Sequence, residues 1–434
     1  MTQPNRNEQR RTDELKWRQD LYPRIQPDPE TIQRYAEDLD VLPPVEINQN
    51  NEIIDGYHRW TAYRKNQVET IPVVVTPTIS DKELLKLAIK RNSQHGLHLS
   101  ITEKKDKVRE LYTGKDGEKE ELAELFSVTL RTISRWTERR DKDAKVARDR
   151  KIADMWLACY TEDEIAAETE ISKATVSEAI RKCSELDTWQ KLNIFANYQD
   201  PDWTPPLYDI WKRQEKTNKT NHFGNTETSF VDNLLYLYTE PFDIVVDPFA
   251  GGGSTIDVCK QRLRRYWVSD RAPIVERPDI RQWDIAAGPP PLHKRWSNVK
   301  LLYLDPPYWR QAAGQYSKDD ADLANMPLDA FYAALTGFVT AATQKMAAGA
   351  HVALVISPTQ YKADDRKYPV DHTIDIITRL QAYNKLRYIR RISIPYESQQ
   401  YNAQQVEWAK ANRDILILTR EFTVWETVSD KSQA

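Results

Sequence analysis

The second half of the chain alternates short apolar runs with amphipathic stretches, and this alternation restricts the fold more than any other feature. Runs typical of buried strands occur in DIVVDPF, RYWVSD, LLYLD, HVALVIS, LRYIRRISI and RDILILT, with helical patterns such as STIDVCKQRL and PLDAFYAALTGFVTAATQKMA between them. Strands separated by helices predict βαβ units and an α/β fold with a mainly parallel, doubly wound sheet. The last two strands are joined by a polar loop, residues 397–412, without a clear crossover helix, so we expect them to pair antiparallel.

The first half is organised differently. It begins with a polar tail, residues 1–16, which we expect to be disordered. Residues 17–79 mix one helical stretch with strand-like pieces and predict a small α+β domain. Residues 80–187 show helical patterns almost throughout and predict an all-α region, and residues 188–220 form a Pro-containing linker. The predicted α/β domain then occupies residues 221–428.

Composition excludes some classes of protein. The 62 Lys and Arg residues nearly balance the 65 Asp and Glu residues, so net charge does not decide for or against a nucleic-acid partner. Cys159, Cys183 and Cys259 lie far apart, which offers no disulfide framework and no metal site. Because no apolar stretch approaches the roughly 20 residues that cross a bilayer, we expect a soluble, cytoplasmic protein without membrane contact.

A glycine-rich turn follows the first predicted strand of the α/β domain. In DIVVDPFAGGGSTIDV the strand ends at Asp247, and Phe249 and the glycines 251–253 lead into a helix. Such glycines allow close approach of a ligand to the backbone, although a tight turn or a phosphate-binding loop would have the same composition. No lysine follows the glycines, as a P-loop requires, and the spacing does not fit a dinucleotide fingerprint. The turn is therefore predicted to bind another ligand.

Two further strand ends carry carboxylates. RYWVSD ends at Asp270, which could accept hydrogen bonds from ribose hydroxyls, and RQWDI places Asp284 where it could accept one from an adenine amino group. Each acid alone is more often a solvated strand end. Farther along, LLYLDPPYWR stops at Asp305, Pro306, Pro307 and Tyr308. Because the prolines are rigid and lack an N–H, this segment presents a fixed array of acceptors, although an isolated Asp-Pro-Pro is usually only a turn.

Together these features resemble the S-adenosylmethionine-dependent DNA amino-methyltransferases. DPFAGGGST and DPPYW at this interval are specific as a pair, and the resemblance covers roughly residues 221–420. It implies a Rossmann-like methyltransferase sheet, S-adenosylmethionine as cofactor, and double-stranded DNA whose target base is flipped out. The residues it assigns to cofactor binding are Asp247, Phe249, Gly251, Gly253, Asp270 and Asp284.

The same resemblance implies roles around the acceptor array. Asp305 and the Pro306 carbonyl would accept the two hydrogens of the target amine, Pro307 would keep the segment rigid, and Tyr308 would stack on the base. Upstream, NHFGNTETSFVDNLLYLYT resembles the helix that closes over the methionine end of the cofactor. Asn221 and Phe223 are assigned there, with a turn plus a core helix as an equal alternative.

The α+β domain contains a second glycine turn. IIDGYHRWTAYR begins a helix directly after Gly56, with His58 and Arg59 in its first turn, which is a natural anion site. The segment 22–77 resembles the amino-terminal domain of ParB partition proteins and their sulfiredoxin relatives, where this box contacts nucleotide phosphates. The resemblance implies a nucleoside triphosphate here. The box departs from the usual Gly-Glu-Arg-Arg, and a purely structural role is the alternative.

Two stretches of the helical region resemble helix-turn-helix units. They are EELAELFSVTLRTISRWTERR and EDEIAAETEISKATVSEAIRK, and a basic run lies between them. The residues implied to contact DNA are Arg131, Arg135, Arg139, Lys173 and Thr175. A helical hairpin within a bundle is the alternative for either copy, but a second copy and the basic run favour DNA binding.

The sequence thus predicts a DNA adenine amino-methyltransferase that ParB-like and helix-turn-helix regions position on DNA. Cytosine N4 methylation is the alternative within the class, since the same acceptors suit either amine. An alternative from another class is a ParB-like DNA-binding or partition protein with a catalytically silent methyltransferase fold. The resemblance also implies a bacterial or phage origin and is compatible with a homodimer.

Overall fold

The computed structural model describes residues 8–23, 27–94, 99–185, 206–212, 227–292, 295–314, 317–363, 366–395 and 402–429. The chain divides into two compact units, Met1–Ala147 and Arg148–Ala434. Its fold is mixed α/β, and the boundary between the units lies inside the segment 80–187, for which the sequence predicts one helical region.

The first unit contains a four-stranded sheet with the strand order β1-β4-β2-β3. β2 runs parallel to β4, and the two outer pairs are antiparallel. The strands are β1 (Glu8–Arg11), β2 (Val45–Ile47), β3 (Ile53–Asp55) and β4 (Thr70–Val75), and the helices beside them are α1 (Pro29–Glu37) and α2 (Tyr57–Lys65). α1 begins with proline at its first position and with the Asp28 carboxylate accepting from Glu30 N–H at 3.3 Å, which are two standard start signals for a helix.

The tail predicted over residues 1–16 is wrong from residue 8 onward. β1 pairs with β4, and the next residues are tied to the domain by side-chain hydrogen bonds. The Thr12 hydroxyl donates to the Val68 carbonyl at 2.6 Å, and Trp60 Nε1 donates to the Thr12 carbonyl at 2.9 Å. These partners are 48 to 56 residues away in sequence, so the local polar pattern could not reveal them.

The rest of the first unit is helical. Its helices are α3 (Asp81–Gln94), α4 (Ile101–Leu111), α5 (Glu118–Leu125) and α6 (Leu130–Leu157), the last of which ends in the second unit. A capping box between Ser100 and Glu103 starts α4. Val108, Phe126 and Ile133 are fully buried in the helical core, which explains why the apolar spacing of this region predicts helices correctly.

The second unit contains a seven-stranded sheet with the order β12-β13-β9-β8-β5-β6-β7. Neighbours from β9 to β7 pair in parallel, whereas β13 is antiparallel to both β9 and β12. The strands are β5 (Ile244–Asp247), β6 (Arg265–Asp270), β7 (Arg281–Gln282), β8 (Val299–Leu304), β9 (His351–Ile356), β12 (Leu386–Pro395) and β13 (Thr419–Thr427), and β10 (Thr359–Ala363) and β11 (Arg366–Val370) form a separate hairpin. The last two strands of the sheet, β12 and β13, pair antiparallel as expected, but β13 lies just after the run RDILILT that was predicted to be the final strand.

Helices cover both faces of this sheet. Alternate residues of β8 belong to different cores: Leu302 and Leu304 pack on one face, Leu301 and Tyr303 on the other. The first face is covered by α11 (Leu328–Thr343) and α12 (His372–Gln381), and the second by α9 (Thr228–Tyr238) and α10 (Ser254–Gln261). Burial on both faces is the physical reason why these strands are continuous apolar runs in the sequence.

Residues 148–185 are part of the second unit, where three arginines hold the end of α6. Arg265 Nε donates to the Trp156 carbonyl at 3.2 Å, a guanidinium nitrogen of Arg281 donates to the Ala158 carbonyl at 2.6 Å, and Arg295 donates to the Cys159 carbonyl at 3.1 Å. Terminal helix carbonyls lack intrahelical partners and carry partial negative charge, so guanidinium donors satisfy them well. α7 (Glu162–Thr169) and α8 (Lys173–Cys183) follow this attachment.

Two sequence predictions near the end of the chain are wrong. The polar loop 397–412 contains a helix, α13 (Ala403–Asn412), which starts with a capping box between Asn402 and Gln405. RDILILT is not a strand; residues 413–418 precede β13, and Ile415 is 81 % exposed. The strand is instead the more polar TREFTVWET, because its position between β12 and β9 buries Arg420, Glu421, Thr423 and Thr427 as well.

Candidate functional site

The ends of β5 and β8 lie at a point where the strand order of the sheet reverses. β5 pairs with β6 on one side and with β8 on the other, and all three strands are parallel. Their carboxyl ends therefore share one edge of the sheet, and loops that leave this edge in opposite directions open a crevice. Asp247 ends β5, Asp270 ends β6 and Asp305 follows β8, so the three predicted acids meet here.

Asp247 orders the glycine turn. One of its carboxylate oxygens accepts from Phe249 N–H at 2.8 Å, and the other accepts from the Thr255 hydroxyl at 2.6 Å. The Asp247 side chain is buried, and burial raises the pKa of this carboxyl to about 7. The two hydrogen bonds act in the opposite direction and lower the pKa, while the nearby charges of Asp305 and Asp270 raise it.

Positive φ angles explain two of the three glycines. Gly251 has φ 49° and Gly253 has φ 84°, a region in which side chains are strained. A Cβ at Gly253 would also lie 2.6 Å from the guanidinium carbon of Arg277. Arg277 donates to the Gly252 carbonyl at 3.1 Å and pairs with Asp257 at 2.9 Å, so it fastens the turn to the start of α10. Arg277 has no recognisable motif around it in the sequence.

Asp270 and Asp284 are held by backbone groups beside the turn. Asp270 accepts from Gly251 N–H at 3.1 Å and from Ala272 N–H at 2.9 Å. Asp284 accepts from Ala286 N–H at 2.8 Å and pairs with Arg271 at 3.1 Å. Fixed carboxylates of this kind present their remaining lone pairs to a ligand in a defined direction.

The Asp305 carboxylate is half-buried and faces two tyrosines. The Tyr308 hydroxyl donates to one of its oxygens at 3.1 Å, and the Tyr303 hydroxyl lies 3.5 Å from the other. Pro306 is buried, and Pro307 and Tyr308 are half-buried. The carboxylate is therefore held as an acceptor at the surface of a crevice, and a ligand with two N–H donors could replace the tyrosine hydroxyls.

These residues line one cavity of about 1180 Å³. This volume exceeds that of a typical pocket for a single small ligand and leaves room for two bound groups. Predicted residues in its lining are Asp247, Phe249, Gly251, Asp270, Asp284, Asp305 and Pro307. Of the predicted cofactor-binding and catalytic residues that the structure describes, Gly253, Pro306 and Tyr308 are outside the lining, although each adjoins it in sequence.

Sequence reasoning missed several residues of this cavity. Arg271, Trp283, Tyr303, Asp322 and Phe338 all contribute to the lining. Arg271 pairs with Asp284 and also with Asp319, so it connects the acid after β7 with the segment that follows the acceptor array. The position of Arg271 directly after Asp270, at the end of a predicted strand, was the sequence signal that could have placed it in the site. The predicted residues Asn221 and Phe223 lie outside the described residues, and α9 begins just beyond them.

The glycine turn of the first unit is built around an internal ion pair. Gly56 has φ 100° and precedes α2. Arg59 pairs with Asp55 at 2.7 Å and donates to the carbonyls of Pro43 at 3.0 Å and Pro44 at 2.8 Å. His58 Nε2 accepts from the Asp28 N–H at 2.9 Å. His58 and Arg59, the predicted phosphate-binding side chains, thus both have partners within the protein, as expected if this turn has a purely structural role.

The predicted DNA-contacting residues fall in both units. Arg131, Arg135 and Arg139 are exposed on α6, while Ile133 on the same helix is buried. In the second unit, the Lys173 ammonium pairs with Asp163 at 2.9 Å and the Thr175 hydroxyl contacts Ser172 at 2.9 Å. Arg139 also has an acidic partner, Asp143, at 4.0 Å. Since exposed ion pairs contribute little, the arginines of α6 and Lys173 are all accessible to a polyanion.

Within the described part of the chain, no group of three or more His, Cys, Asp or Glu side chains is arranged to hold a metal ion. Over the same residues, every helix is too short or too polar to cross a membrane.

Comparison with known proteins identifies one family. The family model described as DNA methylase, of the N6/N4 type, matches residues 47–272. The match includes the glycine turn and Asp270 and ends before Asp284 and Asp305. No curated protein sequence matches the chain.

Solved structures show only weak similarity. ParB from Caulobacter crescentus, complexed to the centromeric parS site, is 17% identical, with 43% of this chain and 90% of that chain covered and a TM-score of 0.25. TrmN from Thermus thermophilus is 13% identical over 48% of this chain and 50% of that chain, with a TM-score of 0.30. The 1,6-didemethyltoxoflavin-N1-methyltransferase from Burkholderia thailandensis is 11% identical over 46% and 76% of the two chains, with a TM-score of 0.29.

Proposed function

Since the chain belongs to the N6/N4 DNA methylase family, we propose that it transfers a methyl group from S-adenosylmethionine to the exocyclic N6 amine of adenine in double-stranded DNA. The observation that supports this most is the shared cavity. The ordered glycine turn after β5 and the Asp305 acceptor after β8 line the same space of about 1180 Å³. We also propose that the sheet of the second unit is the Rossmann-like methyltransferase sheet expected from the sequence.

The residues present fit the cofactor. Gly251 lines the cavity, has positive φ and allows a ligand to approach the backbone, while Gly253 gives the turn its shape beside Arg277. Asp270 is held by backbone N–H groups as an acceptor for ribose hydroxyls. Asp284 stands at the cavity wall with one oxygen paired with Arg271 and the other accepting from Ala286 N–H, so an adenine amino group would use a remaining lone pair of this carboxylate. When bound, S-adenosylmethionine supplies an electrophilic methyl group on a sulfonium.

The acceptor array acts on the target base. Asp305 and the Pro306 carbonyl accept the two amine hydrogens, so that the nitrogen lone pair points away from the base plane toward the electrophile. The amine replaces the Tyr308 hydroxyl, which donates to Asp305 at 3.1 Å. A ring-conjugated amine is a weak nucleophile, and fixed acceptors with correct placement supply most of the acceleration. Formation of the N–C bond would be matched by cleavage of the sulfonium S–C bond, which leaves a neutral thioether, and Asp305 would pass the surplus amine proton to solvent.

The proposed reaction includes flipping of the target base out of the helix stack. Asp305 is half-buried in the cavity lining, and an amine inside a duplex is shielded by the neighbouring base pairs, which supports this step. Tyr308 then stacks on it. Adenine is favoured over cytosine because Asp-Pro-Pro-Tyr in this sequence resembles adenine-modifying relatives; the acceptor geometry would suit the N4 amine of cytosine as well.

The first unit is proposed to hold the enzyme on DNA. Arg131, Arg135 and Arg139 are exposed on α6 and can contact phosphates. A nucleoside triphosphate at Gly56, His58 and Arg59 would have to compete with Asp55 for the Arg59 guanidinium. DNA contact is therefore the main role proposed for the first unit, and nucleotide binding is a secondary one.

The decisive experiment combines product identification with one substitution. PCR-amplified DNA, which carries no modification, is incubated with the protein and S-adenosylmethionine and digested to nucleosides, and mass spectrometry identifies the methylated base. Asp305→Ala is expected to lower turnover by about 10²–10³, the cost of removing one fixed electrostatic group, while cofactor affinity stays within a few-fold.

The matched control is Asp329→Ala. Asp329 is 95% exposed on the same unit, outside the cavity lining, and its removal changes net charge equally. It should leave turnover unchanged. Full activity of Asp305→Ala would refute the assignment. If the product is N4-methylcytosine, the proposed target base is cytosine and not adenine. If the protein binds the cofactor but forms no product, the alternative of a catalytically silent methyltransferase fold is favoured.

A further inference from the structure

A chain of hydrogen bonds runs from α11 through α12 to the segment directly after Tyr308. The Tyr332 hydroxyl lies 2.8 Å from Nδ1 of His372, and Nε2 of His372 lies 2.9 Å from the Thr359 hydroxyl oxygen. The Thr359 hydroxyl donates to the Trp309 carbonyl at 3.0 Å. His372 and Thr359 thus connect the helical layer with the backbone of the proposed catalytic segment.

The backbone at the receiving end is strained. Arg310 has φ 60°, which is unfavourable for a residue with a Cβ. Around it, Gln311 N–H donates to the Trp309 carbonyl at 2.7 Å, an i to i+2 bond that closes a three-residue turn. Ala312 N–H then donates to the Tyr308 carbonyl at 3.1 Å. A strained conformation persists only where its surroundings hold it, and such positions cluster at functional sites.

All members of the chain of hydrogen bonds are buried. His372 is fully buried, and Tyr332, Thr359 and Trp309 are each less than 5% exposed. The ring of Trp309 packs edge-on against the His372 ring at 5.7 Å, and Trp309 Nε1 donates to the Met326 carbonyl at 2.8 Å. Water does not compete for these hydrogen bonds, so loss of the Thr359 hydroxyl removes the partner of His372 Nε2 and leaves the Trp309 carbonyl with the Gln311 N–H.

The available hydrogens decide which way the bonds run. Burial lowers the pKa of His372 to about 4, so its ring is neutral at pH 7 and carries one N–H. Thr359 has a single hydrogen, which it gives to the Trp309 carbonyl. Nε2 of His372 must therefore be the protonated nitrogen that donates to Thr359, and Nδ1 accepts from Tyr332. The single Tyr332 hydroxyl hydrogen lies within reach of two acceptors, Nδ1 of His372 at 2.8 Å and the Asp375 carboxylate at 3.0 Å.

We propose that Thr359 and His372 are positioning residues for the proposed methyl transfer. They hold the strained turn at residues 309–311 in place and thereby fix the Tyr308 ring against which the flipped base stacks. The inference rests on the proposed function and assigns a role to two residues that no motif marks. Neither residue touches the reacting atoms; both act through the Trp309 carbonyl.

The test uses substitutions that change one hydroxyl at nearly constant volume. Thr359→Val removes the donor to Trp309, and Thr359→Ser keeps it. Thr343→Val is the matched control, because the Thr343 hydroxyl is equally buried but donates to the Val339 carbonyl within α11 at 2.8 Å. Initial rates of methyl transfer to PCR-amplified DNA, cofactor affinity and melting temperature are measured for each full-length protein.

Thr359→Val is expected to raise the KM for DNA by roughly ten-fold, which lies toward the lower end of the affinity lost when one base no longer stacks on an aromatic side chain. Cofactor affinity should stay within two-fold, Thr359→Ser should behave as the wild type, and Thr343→Val should lower only the melting temperature. Arg310→Gly in the Thr359→Val background should recover part of the loss, since glycine adopts positive φ without strain.

Wild-type kinetics in Thr359→Val would overturn the inference, as would an equal weakening of cofactor and DNA binding, which indicates general loosening of the unit. Failure of the double variant to improve on Thr359→Val would also count against it. The wild-type protein distinguishes this failure from failure of the proposed function. If the wild type transfers methyl groups, an unaltered Thr359→Val refutes only the positioning role; if the wild type transfers none, both proposals are refuted.

Discussion

The pairing of Thr255 with Asp247 gives a prediction whose magnitude follows from the structure. Thr255 and Asp247 are both almost fully buried, and their oxygens are 2.6 Å apart. Valine has nearly the same shape as threonine, so Thr255→Val removes the hydroxyl without opening a cavity. The carboxylate then keeps only the Phe249 N–H as donor. The substitution removes one hydrogen bond, whose strength depends on whether Asp247 is ionised.

The pH dependence follows from the raised pKa of Asp247. Its folded pKa of about 7 lies above the unfolded value near 3.9, so the folded state binds the extra proton and the wild type loses stability as pH rises from about 4 to 7. Because the Thr255 hydroxyl lowers this pKa, the valine variant should titrate at still higher pH. At pH 6 the carboxyl is mostly neutral in both proteins, and at pH 9 it is ionised in the wild type.

The expected loss of stability is therefore larger at high pH. A hydrogen bond to a neutral carboxyl contributes about 1 kcal/mol and one to a charged carboxylate about 2 kcal/mol. For a unit of this size these values correspond to a fall in melting temperature of roughly 2–4 °C at pH 6 and 4–8 °C at pH 9. The loss of cofactor affinity in Thr255→Val should likewise be larger at pH 9 than at pH 6, since Asp247 holds the glycine turn in place.

Thermal unfolding followed by tryptophan fluorescence at pH 6 and pH 9 provides the measurement. Thr343→Val is again the control, because its hydroxyl donates to a backbone carbonyl that does not titrate, and its deficit should be the same at both pH values. An equal deficit of Thr255→Val at pH 6 and pH 9 would refute the reasoning, since Asp247 would then not change its charge over that range.

Two further predictions concern the first unit. Replacing Arg131, Arg135 and Arg139 by glutamine should weaken DNA binding and reduce its salt dependence by about 0.9 in log–log slope for each phosphate that is no longer neutralised, measured by fluorescence anisotropy at several salt concentrations. A nucleoside triphosphate at millimolar concentration should raise the melting temperature of the wild type, and Arg59→Ala should abolish that shift. Arg59→Ala should also lower the melting temperature without nucleotide, because Asp55 loses its partner.

Each of these has a discriminating control. Arg387→Gln removes an exposed charge of the second unit that is paired with Glu426, and it should not alter the salt dependence. An unchanged slope in the triple variant would transfer DNA contact to the second unit. If ATP, GTP and CTP all leave the wild-type melting temperature unchanged, the turn at Gly56 is a structural strand-to-helix connection.

Elements with strong local signals could be predicted before the chain was folded. Continuous apolar runs indicate β5, β6, β8 and β9 because these strands are buried on both faces of the sheet. β12 is an edge strand with exposed arginines, and its aromatic and β-branched residues were the signal for it. The glycine turn and the acids at strand ends are visible for a related reason, since each lies at a defined point of a βαβ unit. Parallel strands bring these ends to one edge, so their meeting in one cavity could be anticipated.

Features that depend on partners distant in sequence could not be predicted in this way. β1 is a strand only because β4 offers its edge, and β13 buries charged residues only because it lies between two other strands. Arg277, Arg271 and the pair formed by Thr359 and His372 have no motif, since the contacts that define their roles join residues 13 to 50 positions apart. The sequence shows Arg59 as a cation free for phosphate, whereas folding gives it Asp55 and two carbonyls. Local pattern reports burial and backbone preference; which buried polar group meets which is settled only when the chain has folded.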